Sequence, residues 1–286
     1  MLKENVITKD GIVIRDKVAV SIDRLQAFEP NEGYYLAFSG GKDSQCIYHL
    51  AKEAGVKFDA HYNLTSVDPP ELVSFIKTNY SDVIIDYPEE SMFKLIEKNG
   101  LPTRLARWCC RLLKEHGGEG RICVTGVRKA ESNARSKRQP FEMVTKNKKE
   151  MMLFNDNEED RMLFENCTIK GKRVVNPIID WEDSEVWEYI KSRNINYCKL
   201  YDEGFKRLGC IGCPMAGNKR NEQFARWETY GNSYKKAAAI YLVKYNANKL
   251  KKGEVLKFKN IDELWAWWLE EPTIETDENQ ITFEEV

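Results

Sequence analysis

Histidine is scarce: the 286-residue chain holds three, His49, His61 and His116. Their spacing matches neither a metal-ligand set nor a catalytic triad, so histidine-built sites of either kind lack support. No run of about 18 apolar residues occurs, so nothing is expected to span a membrane. The opening residues, Met1-Leu2-Lys3-Glu4-Asn5, lack the apolar stretch of a secretion signal, and a cytoplasmic location is the expectation. A net charge of −1 gives no global attraction to nucleic acid, so any such contact needs a local patch. There is no internal repeat. No Gly-x-x-x-x-Gly-Lys-Ser/Thr occurs either, which removes the Walker type of phosphate loop.

What is present reads as ordinary globular protein, with 42% hydrophobic and 31% charged residues and enough length for one sizeable core plus an appended unit. An irregular arm or hairpin precedes a helix near Lys17–Phe28. Short apolar strands then alternate with helical patterns. Strands are expected at Tyr34–Phe38, Phe58–Leu64, Val83–Ile85, Ile122–Thr125 and Val174–Ile179. Helices are expected at Asp43–Ala54, Glu71–Tyr80 and near Glu89–Lys98. That alternation predicts an α/β fold: a Rossmann-like, doubly wound, mainly parallel sheet whose ligand lies beyond the strand C-termini. Three parts are expected: an N-terminal arm and helix over 1–32, a nucleotide-binding domain over 33–215, and a C-terminal helical region with an acidic tail over 216–286.

Between the first of those strands and its helix lies Ser39-Gly40-Gly41-Lys42-Asp43-Ser44. Two glycines allow a tight turn that brings backbone N–H groups to a phosphate, and the following helix presents its positive end to the same anion. Ser39 and Ser44 carry hydroxyl donors, Lys42 a point charge, and Asp43 a carboxylate for Mg²⁺. The reading of these residues is an adenine-nucleotide cradle; a ligand-free Gly-rich turn is the plain alternative.

Of eight cysteines, Cys109-Cys110 and Cys210-x-x-Cys213 form two close sets. In a chain expected to be cytoplasmic, such sets point to metal or redox chemistry rather than disulfides. Four thiolates suit zinc or an iron–sulfur cluster. Adjacent cysteines favour a 4Fe–4S cluster, because neighbouring side chains diverge and a cubane offers each its own iron. Cys46, Cys123, Cys167 and Cys198 are expected to be core or surface residues.

These features lie in a wider pattern: Gly126-Val127-Arg128, Glu131-Ser132 and Arg135, then Asn176–Trp181, Val186–Ile190, Leu200–Gly204 and Gly209–Pro214. With the loop and the paired cysteines, it resembles the phosphoadenosine phosphosulfate/adenosine phosphosulfate reductase family of the ATP pyrophosphatase superfamily, from about Tyr34 to Pro214. The resemblance implies an adenine nucleotide α-hydrolase-like fold with a cluster near the phosphate site, and places Arg128, Arg135 and Lys114 toward the substrate's anionic end. Two departures stand out. The family's reductases carry a C-terminal Glu-Cys-Gly-x-His nucleophile, and no cysteine follows Cys213. Their loop is degenerate, whereas this one is intact. The combination is similar to the ATP pyrophosphatase of DNA phosphorothioation, which shares the stretch Gly126–Ser132.

The expected function is therefore ATP cleavage between the α and β phosphates, adenylating an acceptor for sulfur transfer, with Mg²⁺-ATP and a 4Fe–4S cluster as cofactors. Catalysis is expected of Lys42, Asp43, Arg128 and Arg135. A sulfonucleotide reductase releasing sulfite and a non-catalytic nucleotide- or redox-sensing subunit are the alternatives. The basic stretch Arg128–Lys149, read as a long inserted loop or hairpin, ends in Lys146, Lys148 and Lys149, which suit either solvent or a nucleic-acid acceptor. A sulfur-donor protein is the other expected partner. Trp181 and Trp187 are expected in the core, and Trp265, Trp267 and Trp268 on a helix packed against the domain.

Overall fold

The computed structural model describes residues 2–8, 11–115, 117–144, 152–154 and 172–270. Strands β1 (Lys3–Thr8) and β2 (Gly11–Asp16) form an antiparallel hairpin ahead of helix α1 (Lys17–Ala27). Asp16 caps that helix, its carboxylate accepting from the amides of Val18 and Ala19, which satisfies donors the first turn leaves open.

Alternation then runs through β3 (Tyr34–Ala37), α2 (Lys42–Ala54), β4 (Phe58–Asn63), α3 (Pro70–Asn79), β5 (Ile84–Asp86), α4 (Met92–Asn99), α5 (Trp108–Leu113) and β6 (Cys123–Val124). After a short helix α6 (Asn133–Ser136) come β7 (Phe141–Val144), β8 (Met152–Phe154) and β9 (Lys172–Val175). Among the described residues the main sheet has the order β5-β4-β3-β6-β9-β7-β8. The first five strands are parallel; β7 runs antiparallel to both β9 and β8. The fold is the expected α/β class with a mainly parallel sheet. Strand order reverses between β3 and β6, and in open α/β sheets the crevice outside that point is where ligands bind.

The basic stretch differs from the inserted loop expected of it. Phe141 and Met143 are buried, and their strand extends the sheet beyond β9. A hairpin was one of the two forms expected, and β7 with β8 supplies it. Local charge hid the strand: its acid, Glu142, is fully buried and accepts from Arg138 Nε at 2.8 Å, so a charged residue that suits a surface loop lies inside the fold. Lys146, Lys148, Lys149, Cys167 and His116 lie outside the described residues, as does the acidic tail from 271 onward.

Side-chain alternation divides the core. Tyr34, Leu36, Val124 and Val175 face α1, α2, α3 and α7 (Asp183–Ser192) in the main core, whereas Tyr35, Cys123 and Val174 face the other way. A second core joins α4 and α5 to the C-terminal helices α8 (Lys219–Arg226), α9 (Glu228–Lys251) and α10 (Ile261–Leu269), through Ile96, Leu113, Tyr234, Leu242 and Trp268. Trp268 is fully buried and donates from its indole to the carbonyl of Pro102 at 2.7 Å. Trp181 is buried and Trp187 packs partly buried on the main core, as expected of both. No helix of the described residues is long and apolar enough to cross a membrane.

Candidate functional site

Two groups of polar side chains gather at the C-terminal edge of the sheet. The first is built on the turn from β3 into α2. Gly40 has φ +70°, and a Cβ there would lie 2.7–2.8 Å from side-chain carbons of Ile76 and Leu72, so only glycine fits. Ser44 donates its hydroxyl to the Gly41 carbonyl at 2.8 Å, and Ser39 donates to Ser44 at 3.2 Å. The serines expected to face a ligand thus also brace the turn. Gly41 is the N-cap of α2 and no side chain caps it. The Tyr201 hydroxyl instead accepts from the Lys42 amide at 2.9 Å.

From β6, across the switch point, the chain returns to the same place. A Cβ on Gly126 would sit 3.0–3.2 Å from the Asp43 carbonyl carbon, oxygen and Cβ, so that residue has to be small. Two residues on, Arg128 is nearly buried, with 3% of its side chain exposed. Its Nε donates to Asp43 Oδ1 at 2.6 Å, Nη2 to Asp183 Oδ1 at 3.0 Å, and Nη1 to the Trp181 carbonyl at 3.3 Å. Lys42 Nζ reaches Asp183 Oδ1 at 2.8 Å and Asp43 Oδ2 at 3.2 Å. Two cations and two carboxylates therefore interlock. Burial alone would raise the pKa of Asp183, but Lys42 first and then Arg128 hold it below the ordinary carboxylate value.

Arg135 stands one step behind. It pairs with Glu131, whose carboxylate also accepts the Arg128 amide at 3.1 Å. Among the residues expected from sequence, the fold brings together Ser39, Gly40, Gly41, Lys42, Asp43, Ser44 and Arg128; Arg135 joins them through Glu131. Sequence reasoning missed Asp183 and passed over Tyr201. Asp183 is an acid in a helix first turn, a place where acids are common for dipole reasons alone. Tyr201 lay within the motif Leu200–Gly204 without a role of its own.

The second group holds the cysteines. Cys109, Cys110, Cys210 and Cys213 line one small cavity together with Thr65, Val67, Lys114 and Tyr234. The first pair sits on α5; the second lies in a turn pinned by the Ile211 amide to the Val67 carbonyl at 2.8 Å and the Gly212 amide to Gln223 Oε1 at 2.9 Å. None of the four is in a disulfide. Among the described residues no three His, Cys, Asp or Glu side chains are arranged to hold a single metal ion. The Cys110 thiol is held below its ordinary value by its hydrogen bond with Cys109, against burial and with help from Lys114 and Arg107. The Lys114 ammonium is held charged beside Cys210. Thr65 Oγ1 lies 3.3 Å from Cys210 Sγ and donates to Asp68 Oδ2 at 2.8 Å.

The segment after β4 divides this cavity from its surroundings. Thr65 and Val67 face the cysteines, while Leu64, Ser66 and Asp68 line a separate, open cavity of about 480 Å³ along α3. Ser66 adopts φ 63°, a left-handed conformation rare for serine. Its hydroxyl accepts the Met92 amide at 2.8 Å, which ties the segment to the start of α4.

Comparison with known proteins places these groups in context. A family model described as the phosphoadenosine phosphosulfate reductase domain matches residues 33–216. An uncharacterised protein of Methanocaldococcus jannaschii is 29% identical over 223 residues, covering 73% of this chain and 49% of the relative. The chain thus spans about half the length of that protein. A probable FAD synthase of Schizosaccharomyces pombe is 27% identical over 69% of this chain and 68% of its own length. An adenosine 5′-phosphosulfate reductase of Oceanobacillus iheyensis is 26% identical over 63% of this chain and 70% of its own.

Proposed function

The chain belongs to the phosphoadenosine phosphosulfate reductase domain family, and from that premise we propose that it is an ATP pyrophosphatase-type enzyme that adenylates an acceptor for sulfur transfer. The observation that carries this reading is the meeting of the intact loop Ser39–Ser44 with Gly126 and Arg128 at the point where strand order reverses. Glycine turns, a helix N-terminus, a lysine and an arginine fork are what a polyphosphate needs. A relative whose name is a probable FAD synthase is in keeping with nucleotide chemistry of this kind.

In the proposed reaction an acceptor oxygen attacks the α-phosphorus of ATP. The bond from that phosphorus to the bridging α–β oxygen breaks, and pyrophosphate leaves. A sulfur nucleophile then displaces AMP from the adenylated acceptor. Lys42 and Arg128 stabilise charge that develops on the phosphoryl oxygens, a term that typically dominates phosphoryl and acyl transfer. Arg135 is a positioning residue, acting on Arg128 through Glu131. Mg²⁺ accompanies ATP, and Asp43 is the carboxylate offered to it. Each Asp43 oxygen already accepts from Arg128 or Lys42 and keeps a second lone pair.

The cysteine cavity suits an iron–sulfur cluster. Its donor set is four cysteines lining one space, and thiolates are the ligands such clusters take. Cys109, Cys110, Cys210 and Cys213 would hold the cluster, which when bound supplies soft, redox-active iron. Lys114 and Arg107 offset the negative charge of the thiolates.

The test is pyrophosphate release from ATP by anaerobically purified, cluster-loaded protein, with DNA or RNA as acceptor and sulfide as sulfur source. Release that depends on acceptor supports the reading; silence with every acceptor and an intact cluster sinks it. Sulfonucleotide reduction is the second reading, favoured by the reductase relative. Sulfite release from adenosine phosphosulfate with an added thiol distinguishes it.

A further inference from the structure

We propose that Asp183 is a built-in stand-in for phosphate: its carboxylate fills the gap between Lys42 and Arg128 that a phosphate oxygen takes when polyphosphate binds. The inference rests on the reading of Ser39–Ser44 as a polyphosphate cradle, and it concerns how that cradle is held before ligand arrives.

One oxygen, Asp183 Oδ1, bridges both cations, at 2.8 Å from Lys42 Nζ and 3.0 Å from Arg128 Nη2. A phosphate oxygen is bound by lysine and arginine at such distances. The cations are fixed, with 6% and 3% of their side chains exposed, whereas Asp183 is 63% exposed. The carboxylate thus reaches in from the rim and withdraws without opening the core. It lies in the first turn of α7, where the helix dipole stabilises a negative charge in either position.

Asp43 is not the mobile partner. It is 24% exposed, held by Arg128 Nε at 2.6 Å, and packed under Gly126. Counted together, Lys42, Arg128, Asp43 and Asp183 are neutral, so an incoming anion finds no net attraction until Asp183 swings out. The Tyr201 hydroxyl, which accepts from the Lys42 amide at 2.9 Å, occupies one amide of the helix end in the same way. Before ligand binds, the chain's own groups fill the cradle. Asp183 is thus a positioning residue that bridges two buried cations and sets how much binding energy the anion must spend to enter.

Inorganic pyrophosphate, titrated calorimetrically into the full chain in EDTA, tests this without ATP, acceptor or divalent ion. Asp183→Asn removes the competing charge and should tighten pyrophosphate binding about tenfold, as expected for a unit charge a few ångströms from an anion near a protein surface. Asp183→Glu keeps the charge and should stay near the parent. Asp183→Ser serves if the asparagine variant folds poorly, and Lys42→Ala should abolish binding in either background. A residue of merely structural importance would weaken binding on replacement. Unchanged or weaker binding in both neutral variants overturns the stand-in role and leaves the cradle reading intact. Pyrophosphate bound by no variant and not by the parent overturns both. Tighter binding by Asp183→Asn, with ATP still uncleaved, supports the stand-in role and counts against adenylation alone.

Discussion

Arg128 makes three directed contacts from one guanidinium, to Asp43, Asp183 and the Trp181 carbonyl. A lysine ammonium lacks the planar fork those directions need. Arg128→Ala is expected to lower ATP cleavage about a hundredfold, with little recovery in Arg128→Lys; initial rates of pyrophosphate release measure both. Gly126→Ala puts a methyl 3.0 Å from the Asp43 carbonyl carbon. Overpacking of that kind costs about 1–3 kcal/mol, and should appear as a lower denaturation midpoint together with weaker pyrophosphate binding. Both residues were legible in the sequence, because glycine and arginine at that spacing belong to a recognisable motif. Asp183 was not, since only the fold reveals that its side chain meets Lys42 from another part of the chain.

At the scale of elements, the N-terminal hairpin and α1 are tied to the turn after β9 through Asp180. Arg24 Nη1 donates to Asp180 Oδ1 at 2.8 Å, Arg15 Nη2 to Oδ2 at 2.7 Å, and Lys17 Nζ to the Asp180 carbonyl at 3.2 Å. Burial alone would raise the Asp180 pKa, but Arg24 and then Arg15 outweigh it and hold the carboxyl below its ordinary value. The folded state therefore binds this proton more weakly than the unfolded chain, where an aspartate titrates near about 3.9. The stabilisation is complete above that unfolded value and is lost as pH falls through the lower folded one. Asp180→Asn should lower stability by about 3 kcal/mol at neutral pH and flatten the acid limb of the stability curve, read by urea unfolding at stepped pH. The C-terminal helices brace the cysteine side in a similar manner. Trp268→Ala removes a fully buried ring and its hydrogen bond to Pro102, on the segment that leads into α5. A loss of about 3–5 kcal/mol is expected, with lower iron retention after anaerobic purification. The sequence predicted these helices from their aromatic spacing. At Phe141–Val144 the sequence left loop and hairpin open, because a basic surrounding resembles a surface loop, and the pairing of this strand with β9 depends on a neighbour distant in sequence.

For the whole molecule, the cysteine cavity makes the sharpest demand: protein purified without oxygen should carry about four iron atoms and matching acid-labile sulfide per chain. Cys110→Ser and Cys213→Ser should each abolish the visible absorbance while leaving pyrophosphate binding at the loop in place. Zinc in place of iron would overturn the cluster proposal. The sequence by itself determined the class of fold and the chemical types at both groups, because period, glycine placement and thiol pairing are local properties that the chain carries in order. Only the tertiary structure decided which groups meet. It set α5 against the turn at Cys210–Cys213, drew Gly126 onto Asp43, and brought Asp183 across to Lys42 and Arg128. Those distances follow from the strand order and the packing of helices on the sheet, which emerge from the whole core and are encoded in no short stretch of residues.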